Sequence, residues 1–186
     1  MRQFQNTLLT KGQWSGYPTI HPFLNTLYRY GNNISNLRDI EIFIETGTHN
    51  GINAQEFSKY FNKVFTVELY PEQFTENYKL IKKEHNNIEF FSGSSPLFLK
   101  NILTKISERC VILLDAHGLN SFPLIEELDN IKCSSRNDHV IIIDDTIFFG
   151  VNGWPQIGDV SKKILEINPN YKIVNTKLGN EIVLVY

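Results

Sequence analysis

The chain has 186 residues, a formal net charge of −2 and a pI near 6.2. That length supports one sizeable core and hardly two, and the charge offers nothing to a nucleic-acid backbone. No apolar run approaches the roughly 18 residues of a membrane span, and the amino-terminal stretch lacks a signal peptide's apolar segment. A cytoplasmic protein is therefore expected. Cys110 and Cys133 match no zinc or redox spacing and read as reduced, core-type thiols.

Residues 1–38 carry Gly12, Gly16, Pro18 and Pro22 among the aromatics Trp14, Tyr17, Phe23, Tyr28 and Tyr30. They read equally as a cap over a sheet edge and as a lid over a crevice. Residues 39–186 alternate strand-like and helix-like patterns and form the main domain. Strand 39–45 is followed by helix 53–61, with Ala54, Phe57 and Phe61 on one stripe. Strand 63–68 precedes a helix that Pro71 opens and that runs to 84, turning Phe74, Tyr78 and Ile81 inward. Its Lys82-Lys83-Glu84-His85 end reads as solvated. Strand 88–91 and helix 96–106 complete the first half.

The second half repeats the rhythm. Strand 110–115 leads to helix 122–131, with Leu124, Ile125, Leu128 and Ile131 as its apolar face, and strand 139–145 leads to helix 158–167. Strands 171–177 and 181–186 are joined by Leu178-Gly179-Asn180, a connection short enough to make an antiparallel hairpin. The sum is an α/β three-layer sandwich of parallel β-α units closed by a C-terminal hairpin.

Four apolar runs end in acids: Ile42-Phe43-Ile44-Glu45, Phe65-Thr66-Val67-Glu68, Ile112-Leu113-Leu114-Asp115 and Ile141-Ile142-Ile143-Asp144-Asp145. Runs with no polar face read as strands buried on both sides of a parallel sheet. Ligands of such sheets sit beyond the carboxyl ends of the strands, so these acids are expected to converge on one crevice.

The loop after the first strand, Glu45-Thr46-Gly47-Thr48-His49-Asn50-Gly51, places glycines on either side of a tight strand-to-helix turn. Its G-x-x-x-G spacing is neither the dinucleotide fingerprint nor a phosphate loop. Glu68 follows about twenty residues on, where a carboxylate can accept both ribose hydroxyls of a nucleoside. Gly93-Ser94-Ser95, after the third strand, would border an adenine ring.

Glu45-Thr46-Gly47-Thr48, Glu68, Gly93-Ser94 and Asp115 follow one another in an order and spacing that resembles a class I S-adenosylmethionine-dependent methyltransferase. The resemblance covers about residues 39–186. It implies a Rossmann-like, mostly parallel seven-stranded sheet in the order 3-2-1-4-5-7-6 and S-adenosylmethionine as cofactor. It also implies that Glu45, Thr46, Gly47, Thr48, Asn50 and Gly51 face the methionine part, that Glu68 holds the ribose, that Gly93 and Ser94 lie near the adenine, and that Asp115 also touches the cofactor.

Asp115, Asp144 and Asp145 stand at the tips of strands expected to be neighbours. Three carboxylates repel one another unless a hard divalent cation, Mg²⁺ or Mn²⁺, sits among them; the competing reading is that Asp144 or Asp145 caps the next helix. The arrangement is similar to cation-dependent O-methyltransferases of the catechol and macrocin types, and closer to the latter because of its paired aspartates. In that chemistry a cation lowers the pKa of an acceptor hydroxyl and a base takes its proton. His117 is the first candidate base and Asp115 the second, with loop packing the alternative for His117. The segment 146–155, with Gly150, Gly153 and Trp154, could stack on an acceptor, or Trp154 could anchor the next helix.

The expectation is a divalent-cation-dependent O-methyltransferase acting on a hydroxyl of a sugar or glycoside. A phenolic acceptor and a non-catalytic methyltransferase-like binding module are the alternatives. A nicotinamide-dependent oxidoreductase is disfavoured by the first-loop spacing. The expected partner is a small-molecule or glycan acceptor, not nucleic acid or membrane, with association into a homo-oligomer left open.

Overall fold

The apolar runs form the centre of a seven-stranded sheet in the computed structural model, which describes residues 21–118, 122–177 and 181–186. The strands are β1 Ile42–Thr46, β2 Lys63–Glu68, β3 Ile88–Ser92, β4 Cys110–Leu114, β5 Val140–Ile143, β6 Ile173–Asn175 and β7 Val183–Val185. Their order is β3-β2-β1-β4-β5-β7-β6, as expected. β1 to β5 pair in parallel, and β7 runs antiparallel between β5 and β6. The helices are α1 Pro22–Tyr30, α2 Ile52–Phe57, α3 Thr75–Glu84, α4 Ser95–Leu103, α5 Leu124–Lys132 and α6 Ile157–Ile167.

Because side chains alternate along a strand, each buried strand feeds two cores. Ile42, Ile44, Ile112, Leu114, Ile141 and Ile143 pack under α4, α5 and α6. Phe43, Val111, Leu113, Val140 and Ile142 pack under α1, α2 and α3. There Phe43 stacks on Phe57 with ring centroids 3.8 Å apart. Phe23, Leu24 and Leu27 of α1 belong to this second core, so α1 covers a face of the sheet. Residues 1–20 of the expected cap or lid lie outside the described residues, as does the Leu178-Gly179-Asn180 turn.

Several expected elements are shorter than their apolar patterns. The first strand begins at Ile42 because Leu37–Asp39 forms a 3₁₀ turn after Asn36, whose φ is 52°. α2 ends at Phe57; Phe61 is buried from the turn that follows, so its place in the helical stripe was coincidental. Pro71–Phe74 is a separate 3₁₀ turn ahead of α3. Cys110 is buried, but Cys133 is exposed at the end of α5, which corrects its reading as a core thiol. No helix among the described residues is long and apolar enough to cross a membrane.

Candidate active site

The chain turns sharply where β1 ends. Gly47 has φ +82°, and a Cβ there would lie 2.3 Å from the Asp115 carbonyl oxygen, so only glycine lets the first loop pass the end of β4. The N–H groups of Gly47 and Thr48 both donate to the Val67 carbonyl at 3.0 Å. Glu68 ties the neighbouring loops together. Its Oε2 accepts from the His49 N–H at 2.8 Å, its Oε1 accepts from the Tyr70 N–H at 3.2 Å, and its carbonyl accepts from the Gly93 N–H at 2.9 Å.

These loop ends enclose a cleft of about 380 Å³ whose wall includes Gly47, Glu68, Tyr70, Gly93, Ser94 and His117. The volume is in the range of small-molecule sites. Gly93 has φ +131°, and no atom comes within 4 Å of where its Cβ would stand, so the cleft is open beside the third strand's end. Gly47, Glu68, Gly93 and Ser94 thus meet at one place. Glu45, Thr46, Thr48, Asn50, Gly51 and Asp115 are not in the cleft wall.

Strand alternation explains Glu45. It shares the face of Phe43, so its carboxyl points under the first loop and is fully buried. The Thr66 hydroxyl donates to its Oε2 at 2.6 Å, and Thr66 also meets Thr48 at 2.6 Å between hydroxyls. Burial pushes the Glu45 carboxyl up to about 8, against smaller opposing effects of Thr66 and Asn53. Its Oε1 has no hydrogen-bond partner among the described residues.

Beyond the cleft the acids of β4 and β5 gather around a histidine. One ligand atom each from Asp115, His117 and Asp145 lie within 4.8 Å of one another. His117 Nε2 is 2.8 Å from Asp145 Oδ2 and 4.0 Å from Asp115 Oδ1. Asp145 has φ 56° and opens the 3₁₀ turn Thr146–Phe148 without a side-chain capping bond. Asp144 stands at the same strand end but outside this trio. Burial drives the Asp115 carboxyl well above the usual range, reinforced by Asp144, Glu45, Asp145 and Glu127. Burial likewise pushes Asp144 up to about 6. Crowded carboxylates at neighbouring strand ends fit a hard divalent cation such as Mg²⁺ or Mn²⁺.

An aromatic wall stands next to the trio. The Trp154 ring lies 5.3 Å from that of His117, 4.8 Å from Phe122 and 5.6 Å from Phe148, centroid to centroid. Phe148 is exposed and Trp154 half-buried. Trp154 therefore closes one side of the acidic group, whatever else it anchors.

Glu127 is the residue the sequence pattern hid. It sits on α5 between Leu124 and Ile131, on the apolar face, and is 1 % exposed. Its three-residue spacing from Leu124 was the available signal, masked by the acidic pair Glu126-Glu127.

No family model matches the chain, and no curated protein matches its sequence. Solved structures do match. A proposed caffeoyl-CoA O-methyltransferase of Staphylococcus aureus is 15% identical with a TM-score of 0.59, over 87% of this chain and 82% of that one. The O-methyltransferase TomG of Streptomyces achromogenes, involved in tomaymycin synthesis and solved with S-adenosylmethionine, is 16% identical with a TM-score of 0.57, over 80% and 74%. A point mutant of MtNAS bound to S-adenosylmethionine is 15% identical with a TM-score of 0.55, over 100% and 70%. The likeness is one of fold: the chain has the Rossmann-like architecture of class I S-adenosylmethionine-dependent methyltransferases.

Proposed function

We propose that this protein is a divalent-cation-dependent O-methyltransferase that moves the methyl group of S-adenosylmethionine to a hydroxyl of a sugar or glycoside. The carrying observation is the joining of two arrangements: the cleft bordered by Glu68, Gly93 and Ser94, and the Asp115–His117–Asp145 trio at its end. His117 belongs to both. The shared fold of the O-methyltransferases named above supports the reading.

S-adenosylmethionine enters as a co-substrate. Its methyl passes from sulfur to the acceptor oxygen, the C–S bond breaks, and S-adenosylhomocysteine leaves. In the cleft, Glu68 offers the ribose hydroxyls the outer lone pairs of a carboxylate already fixed by two backbone N–H groups. Gly93 and Ser94 leave room for the adenine. Asp115 and Asp145 would hold the cation, with Asp144 adding negative charge beside them. A divalent cation there would supply Lewis acidity that lowers the pKa of a nearby hydroxyl. Asp145 orients the His117 ring by holding its Nε2 at 2.8 Å, and the other ring nitrogen, Nδ1, takes the acceptor's proton. Trp154 offers an apolar face against which a sugar ring or an arene can stack. A phenolic acceptor is the second reading, favoured by that aromatic wall.

Calorimetry with S-adenosylhomocysteine, with and without Mn²⁺ or Mg²⁺, tests the proposal, followed by turnover on panels of glycosides and phenols. Cofactor binding with a separate cation heat is expected. Absence of S-adenosylhomocysteine binding would leave a methyltransferase-like binding module instead.

A further inference from the structure

Glu127 is buried on the apolar face of α5, beside Leu124, Leu128 and Ile131 of its own helix. Its Oε1 is buried with no hydrogen-bond partner among the described residues. Facing it are the hydroxyl side chains of Thr46, the last residue of β1, and Ser95, the first residue of α4. Both partners belong to the cleft's frame. Ser95 lines the cleft, and the Asp115 N–H donates to the Thr46 hydroxyl at 3.3 Å and to the Thr46 carbonyl at 3.2 Å. A hydroxyl has one proton to give. Thr46, which shares its face of β1 with Ile42 and Ile44 under α5, is therefore placed to donate toward Glu127 while accepting from Asp115.

Resting on the methyl-donor reading above, we propose that Glu127 is a positioning residue of the cofactor cleft: its carboxyl ties the end of β1 at Thr46 to the start of α4 at Ser95, and through Thr46 it fixes the backbone of Asp115. Packing alone does not account for an acid here. A leucine on this face would meet Leu124, Leu128 and Ile131 and leave no orphaned oxygen, so the fold gains nothing from the carboxyl. The cleft does gain from it, because the Ser94–Ser95 turn and the Asp115 backbone come from separate elements with no backbone hydrogen bond between them among the described residues. Burial also pushes the Glu127 carboxyl up to about 7, so near neutrality a protonated form is present that a glutamine amide imitates.

The test measures S-adenosylhomocysteine affinity by calorimetry and melting temperature in the full-length wild type, Glu127→Leu and Glu127→Gln. The expected result has opposite signs: the leucine chain melts at the same or a higher temperature yet binds about 10-fold more weakly or worse, while the glutamine chain stays within about three-fold of wild type. A folded leucine chain with unchanged affinity, or a glutamine chain as impaired as the leucine one, overturns the inference. If the leucine chain does not fold, Thr46→Val and Ser95→Ala carry the test. Each removes one donor to the carboxyl and is expected to weaken binding, and unchanged affinity in both overturns the inference. A wild type that binds no S-adenosylhomocysteine removes the proposed function and this inference together; normal wild-type binding with an insensitive Glu127 removes the inference alone.

Discussion

His117 and Asp145 meet at 2.8 Å, Nε2 to Oδ2, although neither lies in a regular strand or α-helix. The contact joins the loops after β4 and β5, and it is made because Asp145 adopts φ 56°, which turns the chain back after β5. Left-handed backbone is costly for most residues but tolerated by aspartate and asparagine. The same residue is thus asked for an unusual backbone and for a carboxylate.

Those two demands separate cleanly by substitution. Asp145→Asn keeps a residue that suits left-handed backbone and removes the charge. It is expected to fold as wild type and bind S-adenosylhomocysteine normally, to lose the Mn²⁺ heat, and to turn over at least about 100-fold more slowly. Asp145→Ala should share those losses and also cost on the order of 1 kcal/mol of stability. Calorimetry, turnover and urea unfolding on both variants check this. Retained cation heat in Asp145→Asn would remove Asp145 from the ligand set.

The strand runs made the parallel strands legible, because buried parallel strands carry no polar face to confuse their pattern, while their order was what the family resemblance implied. The convergence of Gly47, Glu68, Gly93 and Ser94 was legible for the same reason: each stands at or just past the carboxyl end of its strand. Glu45 shows where that logic stops. It too closes an apolar run, but the face a strand-end side chain takes depends on a boundary that one residue can shift, and here it places the carboxyl under the loop. His117 and Asp145 come together through loop backbone torsions that no periodicity records. Glu127 was hidden because an acid beside another acid reads as solvent-facing.

The buried Glu45 gives stability a pH dependence of definite sign. Its folded carboxyl is raised to about 8 from an ordinary 4.5, so between those values the folded chain holds a proton that the unfolded chain has released. The contribution is fully present below about pH 4.5 and is lost as pH rises through about 8. The slope is at most about 1.4 kcal/mol per pH unit, summing to a few kcal/mol. Glu127, raised to about 7, adds in the same direction. Glu45→Gln is expected to be more stable than wild type at pH 8, with the advantage shrinking toward pH 5. Urea unfolding at several pH values reads this directly; parallel profiles for the two chains would place the Glu45 proton elsewhere.

Gly47→Ala tests the close passage of the first loop over β4. The added methyl would sit 2.3 Å from the Asp115 carbonyl oxygen and 2.8 Å from its carbon, at a backbone with φ +82°. Backbone atoms cannot swing aside as a side-chain tip can. A loss on the order of 3 kcal/mol or more is expected, together with weakened S-adenosylhomocysteine binding in whatever fraction folds. Denaturant midpoints compared with wild type decide it, and a loss under about 1 kcal/mol would mean that the loop and β4 stand further apart.

Trp154 separates an acceptor wall from a helix anchor. Its ring touches His117, Phe122, Phe148 and Phe149, but it is not among the residues lining the cleft that Glu68 and Gly93 border. Removing it should therefore leave the methyl donor's site alone. Trp154→Ala is expected to keep S-adenosylhomocysteine affinity near wild type, and to raise KM about 10-fold or more for whichever glycoside or phenol the wild type methylates. Trp154→Phe, which keeps an aromatic face, should recover most of that loss. The discriminating quantity is KM measured alongside the melting temperature. If both substitutions lower the melting temperature while KM stays fixed, the ring holds the 146–155 segment in place and the acceptor rests on other residues.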